Sequence, residues 1–383
     1  MSFVPQPTDF ISWAHFGDLH IKEAQDENYE DFLELIRQAN EHLAGKVDFA
    51  FLPGDNADDG TEAQYQLVRS ALDRLEVPVH VITGDHDKKS GSLDPFQRYL
   101  GPSLYHALDL RSFRLMFLNA MDAQEPDVFD LGREQVTWLQ RELEQARAAR
   151  LRPLLFHHLY PSELQTQAGT LTRLIREFQV ELVEMGHTHY NELANDGRVI
   201  YTATRSTGQI EEGPPGFSLT AIDRSVISWK FKERGAWPFA MITCPADEKL
   251  ITRPDDPCHV IRGVIPIRAR VWNRAPVSTV MCSVDGAPEQ PMQLRGEYWQ
   301  LSWNSQSAGD GVHTISVRAH NGEKSEATDT ISVLVSQSGH YAAPERSPID
   351  YENTIGAYPT KGILGTQLGP NENGTKGPWP SWR

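Results

Sequence analysis

Five short runs of the chain combine aspartate and histidine in the types and spacing that bind metal ions. They are Gly17-Asp18-Leu19-His20, Gly54-Asp55-Asn56, Gly84-Asp85-His86-Asp87, His157-His158 and Gly186-His187-Thr188-His189. A mixture of carboxylate oxygens and imidazole nitrogens suits Zn, Mn or Fe. A single aspartate or histidine carries little weight, but DxH and HxH pairs that each follow a glycine are hard to obtain by chance. Together the five runs predict a metal centre.

Each of these runs follows an apolar segment that is typical of a β-strand. The strand-like segments before the five runs are residues 10–16, 47–52, 77–82, 153–157 and 180–185, and a further one is 113–118. Amphipathic stretches, such as residues 132–149, alternate with them and predict surface helices. This alternation indicates a layered α/β domain, in which the carboxyl ends of the strands converge on one crevice. We therefore expect the five runs to meet in space.

The pattern changes in the second half of the chain. After Gly186 the helical period disappears, and residues 192–203, 216–223 and 226–232 are typical of antiparallel strands. A stretch rich in Pro and Asp at 243–257 indicates a linker, and short alternating segments from 260 to 335 predict an all-β, immunoglobulin-like sandwich. The predicted organisation is an α/β domain at 1–240, a β-sandwich at 245–336 and a Gly- and Pro-rich tail at 337–383.

Composition excludes several classes of protein. The 383 residues include 36 Lys and Arg against 52 Asp and Glu, for a net charge of −16, which argues against binding to nucleic-acid polymers or anionic membranes. No stretch approaches the roughly 20 apolar residues of a membrane span, and the first residues lack the features of a secretory signal. Three cysteines without a CxxC spacing indicate neither a disulfide framework nor a cysteine zinc site. These observations predict a soluble, cytoplasmic protein.

The order of the five runs resembles the calcineurin-like metallophosphoesterase superfamily over about residues 10–235. The run PGDNADDG at 53–60, followed by a predicted helix and VPVHVITGDHD, is similar to the class III cyclic-nucleotide phosphodiesterase branch. The GDxVDRG and GNHE motifs of the Ser/Thr phosphatase branch are absent from the sequence. For the first domain, the resemblance implies a four-layer αββα sandwich of two mixed sheets.

The resemblance also implies a dinuclear centre. Its first metal would be held by Asp18, His20 and His189, its second by Asp85, His157 and His187, and Asp55 would bridge both. His157 is preferred over His158 because it directly follows the strand PLLF, and His158 stays the alternative. His86 matches the non-ligand histidine that stabilises the phosphate or protonates the leaving oxygen. Asp87 would orient that imidazole, a role compatible with capping a helix.

One position departs from the superfamily pattern, which has Asn where this chain has Asp85. Two divalent cations contribute about +4, while three aspartates and a hydroxide contribute about −4, so the centre is near neutral rather than near +1. A neutral centre attracts a dianionic phosphomonoester less strongly. Either the second site takes a trivalent ion such as Fe(III), or the enzyme favours phosphodiesters or triesters. Loss of activity is the third alternative.

The predicted function is hydrolysis of phosphodiesters by a hydroxide that two divalent or mixed-valence ions (Mn, Fe or Zn) activate for in-line attack. Cyclic nucleotides and other small diesters are the candidate substrates. A phosphomonoesterase or phosphotriesterase with the same centre is the alternative within the enzyme class. From a different class comes an inactive scaffold whose β-sandwich recognises a protein or glycan. The sandwich is also the candidate surface for a homodimer.

Overall fold

The structure is a computed structural model that describes residues 10–121, 128–208, 214–322 and 326–342. Of the predicted tail, residues 343–383 lie outside the described residues. Within these ranges the chain forms four β-sheets and five α-helices. Among the described helices, none has the length and apolar character of a membrane span.

The first part of the chain alternates strands and helices. In chain order its elements are β1 (Phe10–Phe16), α1 (Glu27–Leu43), β2 (Phe49–Leu52), α2 (Glu62–Leu72), β3 (Val79–Val81), α3 (Asp94–Tyr99), β4 (His106–Leu110), β5 (Phe113–Phe117), α4 (Arg133–Ala149), β6 (Arg152–Phe156), α5 (Ala168–Glu177), β7 (Leu182–Met185), β8 (Glu192–Asn195), β9 (Ile200–Ala203), β10 (Gly216–Asp223) and β11 (Val226–Glu233). All six strand-like segments predicted up to residue 185 are present, as β1, β2, β3, β5, β6 and β7. The short elements α3 and β4 were not predicted, because six and five residues carry too little periodicity.

These strands form two mixed sheets. The first has the order β11-β10-β1-β2-β3, in which β1, β2 and β3 are parallel and β10 and β11 are antiparallel. The second has the order β4-β5-β6-β7-β9-β8, with a parallel centre and an antiparallel strand at each edge. The expected α/β fold with mixed sheets is therefore present.

The two sheets pack face to face through aromatic side chains, because alternate residues of a strand point to opposite faces. The ring of Phe51 on β2 lies 5.9 Å from that of Phe117 on β5 and 4.9 Å from that of Phe156 on β6. Ala50 and Leu52, on the other face of β2, are buried in a second cluster with residues of α1 and α2. Helix α4 packs on β5 and β6. Helices thus cover the outer face of each sheet.

The remaining strands form a second pair of sheets. They are β12 (Phe239–Cys244), β13 (Val260–Ile261), β14 (Val264–Trp272), β15 (Thr279–Val284), β16 (Gln290–Pro291), β17 (Gln293–Arg295), β18 (Tyr298–Asn304), β19 (Gly311–His320) and β20 (Glu326–Val335). The sheets have the orders β12-β14-β18-β17 and β13-β20-β19-β15-β16. Buried residues such as Ile267, Val317 and Val333 share one core cluster. An immunoglobulin-like classification of this region stays a prediction.

The predicted division at residues 240–245 falls inside β12. This strand pairs antiparallel with β14, so it belongs to the second pair of sheets. The two regions also share buried contacts, because Trp272 at the end of β14 is fully buried in the cluster of α1 and its indole nitrogen donates to the Lys46 carbonyl. An ion pair of 2.7 Å joins Arg268 to Asp223 across the same interface. Composition alone does not show this strand because its Cys-Pro end resembles the start of a linker.

Candidate metal centre

The predicted motifs converge at the carboxyl ends of the parallel strands. Asp18 follows β1, Asp55 follows β2, and His187 follows β7 in the other sheet. Hydrogen bonds from backbone N–H groups to the aspartate carboxylates link these loops directly. The His187 N–H donates to the Asp18 carboxylate over 2.8 Å, and the His86 N–H donates to the Asp55 carboxylate over 2.9 Å. The loops therefore position one another as well as their own side chains.

One group of four side chains is close enough together to hold one metal ion. Asp18, His20, Asp55 and His189 each offer a ligand atom, and these atoms all lie within 4.8 Å of one another. Nε2 of His20 lies 3.1 Å from Nε2 of His189 and 3.6 Å from Oδ2 of Asp55. Oδ1 of Asp18 is buried and has no hydrogen-bond partner among the described residues. A cation at this position would take the closely spaced imidazole nitrogens and the unpartnered buried carboxylate oxygen as ligands.

A second group of four lies beside the first. It consists of Asp55, Asp85, His158 and His187, again with ligand atoms within 4.8 Å of one another. Oδ1 of Asp85 lies 3.3 Å from Nε2 of His158 and 3.2 Å from Nδ1 of His187. Because Asp55 belongs to both groups, its two oxygens are placed to serve both.

The second group contains His158 and not His157, which the sequence interpretation preferred. Side chains alternate along β6, so His158 lies on the same face as Phe156, towards the other sheet, and His157 lies on the opposite face. The Nδ1 atom of His157 donates to the Leu159 carbonyl over 2.6 Å. His158 instead donates from Nδ1 to the Pro53 carbonyl over 2.7 Å, which leaves its Nε2 facing Asp85 and Asp55.

Two carboxylates outside both groups orient the imidazoles. Oδ1 of Asp58 lies 3.0 Å from Nδ1 of His20, and Oε1 of Glu163 lies 3.4 Å from Nε2 of His187. A carboxylate that accepts the proton of one ring nitrogen leaves the other nitrogen free to act as a ligand. Neither residue was singled out from the sequence. Asp58 follows Asp55 by three residues in an acidic run, whereas Glu163 lies in a short turn without any diagnostic spacing.

Unusual backbone conformations direct the ligands inwards. Four non-glycine residues of the two groups have positive φ, namely His20 (46°), Asp55 (50°), His187 (65°) and His189 (60°). Such conformations are strained for residues with a Cβ and concentrate at functional sites. Gly54 has φ of 112°, and a Cβ at this position would lie 2.6 Å from the Gly84 nitrogen and 2.6 Å from Nδ1 of His158. A glycine is required there for the loops to approach closely.

The carboxylates of the cluster stabilise positive charge on the groups beside them. Burial alone would lower the pKa of His158, but the adjacent carboxylates of Asp55 and Asp85 raise this pKa well above its usual value. For His187, burial again opposes protonation, yet hydrogen bonds to Asp85 and Glu163 raise its pKa to about 10. The carboxylates thus draw protons onto the imidazoles. Metal cations would supply the same charge and displace those protons.

His86 lies beside the first group with its side chain 16% exposed. Its Nδ1 lies 2.9 Å from the Asp58 carbonyl oxygen and 3.1 Å from Oδ1 of the same residue. The ammonium of Lys89 lies 2.7 Å from Nδ1 and 2.8 Å from Nε2 of this ring. The imidazole therefore stands at the edge of the cluster, in contact with a carboxylate and a cation.

Asp87 does not contact the His86 ring, contrary to the orienting role expected for it. Its buried carboxylate accepts hydrogen bonds from the backbone N–H groups of Asn56, Ala57 and Gly84 and from the Tyr65 hydroxyl. The Asp87 side chain points towards these N–H groups because the residue lies in the 3₁₀ turn that begins at His86. Burial and the Asp55 charge raise its pKa to about 6. Asp87 thus joins the loops of Asp55 and Asp85, and Asp58 takes the orienting position.

Comparisons with known proteins agree with this geometry. The family model for calcineurin-like phosphoesterases matches residues 11–191, which include all five motifs. A protein named probable glycerophosphodiester phosphodiesterase GpdQ, from Arcobacter nitrofigilis, is 24% identical over 160 residues, which are 39% of this chain and 59% of the relative. A probable cyclic nucleotide phosphodiesterase from Synechococcus is 24% identical over 180 residues, 44% of this chain and 68% of the relative.

One further relative and one solved structure extend the comparison. Glycerophosphodiester phosphodiesterase GpdQ from Enterobacter lignolyticus is 28% identical over 147 residues, 35% of this chain and 51% of that protein. The matches thus span between about half and two thirds of each relative's length. A dimetal phosphatase from Danio rerio has the same fold, with a TM-score of 0.50 and 14% identity over 59% of this chain and 96% of its own. Residues 11–191 of this chain, just under half of its length, thus match the family model of the calcineurin-like phosphoesterases.

Proposed function

We propose that this protein is a dinuclear metal-dependent phosphodiesterase that hydrolyses small diesters, with cyclic nucleotides among its candidate substrates. The observation that carries the proposal is the pair of four-residue groups that share Asp55. The names of the relatives, a glycerophosphodiester phosphodiesterase and a cyclic nucleotide phosphodiesterase, support a diester as the substrate.

The donor atoms suit two transition-metal ions. Each group of four combines two carboxylates with two imidazoles, which favours Mn, Fe or Zn over the oxygen-only sites of Mg or Ca. The unpartnered Oδ1 of Asp18 and the close imidazole nitrogens of His20 and His189 fit such ions. When bound, a pair of such ions supplies an activated water and neutralises charge on the phosphoryl oxygens.

Residues around the centre have proposed roles in proton donation and in contacting the phosphoryl group. His86 lies at the edge of the cluster and is the proposed proton donor to the leaving oxygen. Asp58 contacts Nδ1 of His86 and holds the ring, and Nε2, which now lies 2.8 Å from the Lys89 ammonium, would face the substrate once that contact is displaced. Lys89, beside the same ring, is placed to contact a phosphoryl oxygen when substrate displaces its present contact.

The charge of the centre supports a diester. Asp18, Asp55 and Asp85 place three formal negative charges around the cations, where the usual asparagine would leave two. A monoanionic diester is repelled less by this arrangement than a dianionic monoester. The nearby ammonium of Lys89 instead attracts a dianionic monoester more strongly than a monoanionic diester. A phosphomonoesterase is therefore the second candidate.

The test compares two substrates with the same leaving group. Protein loaded with Mn is assayed with bis(p-nitrophenyl) phosphate and with p-nitrophenyl phosphate, and we expect a higher kcat/KM for the diester. The variant His86→Ala should keep its metals and lose roughly 10²–10⁴ in rate. His340→Ala, at an exposed position after the end of β20, is the matched control and should keep full activity.

Three results would contradict the proposal. They are no turnover of either ester by the metal-loaded protein, full activity of His86→Ala, and a higher kcat/KM for the monoester. The first would favour the inactive scaffold, and the third would favour the phosphomonoesterase. A homodimer through the second pair of sheets is a separate prediction, which the mass of the protein in solution tests by light scattering.

A further inference from the structure

A large cavity lies at the opposite ends of the strands from the metal centre. Its volume is about 930 Å³, and it is lined by residues at the starts of β6 and β7, including Arg152, Pro153 and Val180. His158 lies beyond the other end of β6, six residues from Arg152. At about 3.3 Å per residue this separation is roughly 20 Å. The cavity is therefore distinct from the metal centre, although one strand connects them.

The lining of this cavity is strongly cationic in a chain with a net charge of −16. Six arginines line it, namely Arg147, Arg150, Arg152, Arg176, Arg198 and Arg253. Two carboxylates, Glu177 and Glu181, are the acidic groups of the lining. The lining thus carries a formal charge of +4 (6 − 2), opposite in sign to the whole chain.

Part of this positive charge has a structural explanation. Arg152 donates to Glu181 over 2.8 Å, and Arg253 also donates to Glu181. Arg147 donates to the Glu177 carbonyl over 2.7 Å at the end of α5, where cations are favourable. These contacts account for three of the arginines.

Two further arginines have no such hydrogen-bond or ion-pair partner. Arg150 and Arg198 make no side-chain hydrogen bond and no ion pair within the part of the chain that the structure describes. They come from different elements, the residue after α4 and the turn between β8 and β9. Both side chains are exposed and line the same concave surface, so their positive charge is available to a bound anion.

We propose that this cavity binds a small molecule that carries two or more phosphate groups. Guanidinium groups bind phosphate oxygens bidentately, and several of them together suit a multivalent anion. The volume lies within the range of small-molecule sites, and the apolar side chains of Leu143, Ile175 and Val199 also line the cavity. The ring of Phe178 is covered by the Arg147 guanidinium, with the central carbon 4.0 Å from the ring centroid.

The test must separate this cavity from the metal centre, which also attracts phosphates. The probe is inorganic tripolyphosphate, added to the full metal-loaded chain. ATP is tested in parallel, and tighter binding of ATP than of tripolyphosphate would show that the nucleoside also contributes to binding. Hydrogen–deuterium exchange locates the binding, and calorimetry measures the affinity. We expect protection of residues 147–153 and 175–181, and an affinity that falls with added salt.

The double variant Arg150→Gln, Arg198→Gln should weaken tripolyphosphate binding at this site by about tenfold or more, because two charge-assisted contacts are lost. Since neither side chain has a partner among the described residues, the variant should fold normally, and Arg198→Gln alone provides a second, milder variant. Arg141→Gln is the matched control, since Arg141 is exposed on α4 and does not line the cavity. Protection confined to residues 84–89 and 186–189, or unchanged affinity in the double variant, would overturn the proposal and leave the proposed activity untouched.

Discussion

The carboxylate of Asp58 lies 3.1 Å from Nδ1 of His86. The same oxygen lies 3.0 Å from Nδ1 of His20, and the other oxygen lies 2.8 Å from the ammonium of Lys22. Burial opposes ionisation of this carboxyl, but the hydrogen bonds from His20 and Lys22 outweigh it and hold its pKa well below the usual value. One ionised carboxylate therefore orients both a proposed metal ligand and the proposed proton donor.

Removing this charge should affect metal binding and turnover together. We expect Asp58→Asn to lower metal affinity or kcat by about 10- to 100-fold, because the proton on each Nδ1 is no longer held by a charged acceptor. Steady-state kinetics at increasing Mn concentration separate the two effects. Asp59→Asn is the control, since the Asp59 carboxylate accepts from Gln64 rather than from an imidazole. Equal kinetics for the two variants would contradict the role of Asp58.

The adjacent histidines His157 and His158 should behave differently. We expect His158→Ala to lose metal from the second group, while His157→Ala keeps its metals, because only His158 lies within reach of Asp55 and Asp85. Elemental analysis of both purified variants makes the comparison. Loss of metal from a folded His157→Ala protein, with normal metal content in His158→Ala, would restore the assignment made from the sequence.

Asp87 should contribute to stability more than to proton transfer. Asp87→Ala leaves three buried N–H donors and the Tyr65 hydroxyl without their acceptor, which should lower the free energy of unfolding by at least about 3 kcal/mol. Urea unfolding at fixed metal concentration measures this change. Asp73→Ala removes an exposed carboxylate just after α2 and should change the stability by under about 0.5 kcal/mol. A similar small change for Asp87→Ala would show that these hydrogen bonds are not important.

Asp85 should set the preference between monoester and diester. Asp85→Asn removes one negative charge from the centre, so the ratio of kcat/KM for p-nitrophenyl phosphate to that for the diester should rise. Lys89→Gln removes a positive charge near the same site and should lower this ratio. An unchanged ratio in both variants would show that substrate charge is not selected here.

Sequence patterns predict the convergence of the motifs because parallel strands present their carboxyl ends at one edge. They do not distinguish His157 from His158, since a shift of one residue in the end of a strand moves a side chain to the other face. The contacts of Asp87, Asp58 and Glu163 depend on loop conformations that have no periodic signal. The position of β12 likewise depends on pairing with a strand more than 20 residues later.

The central claim is that two metal ions share Asp55, and metal content tests it most directly. Elemental analysis of the purified chain, reconstituted with Mn and freed of unbound metal, should give two ions per chain, whereas Asp55→Ala should retain close to none. Phosphodiesterase activity should disappear on chelation and return with added Mn. A folded wild-type protein that binds no transition metal, or an Asp55→Ala variant that keeps both ions, would contradict the account.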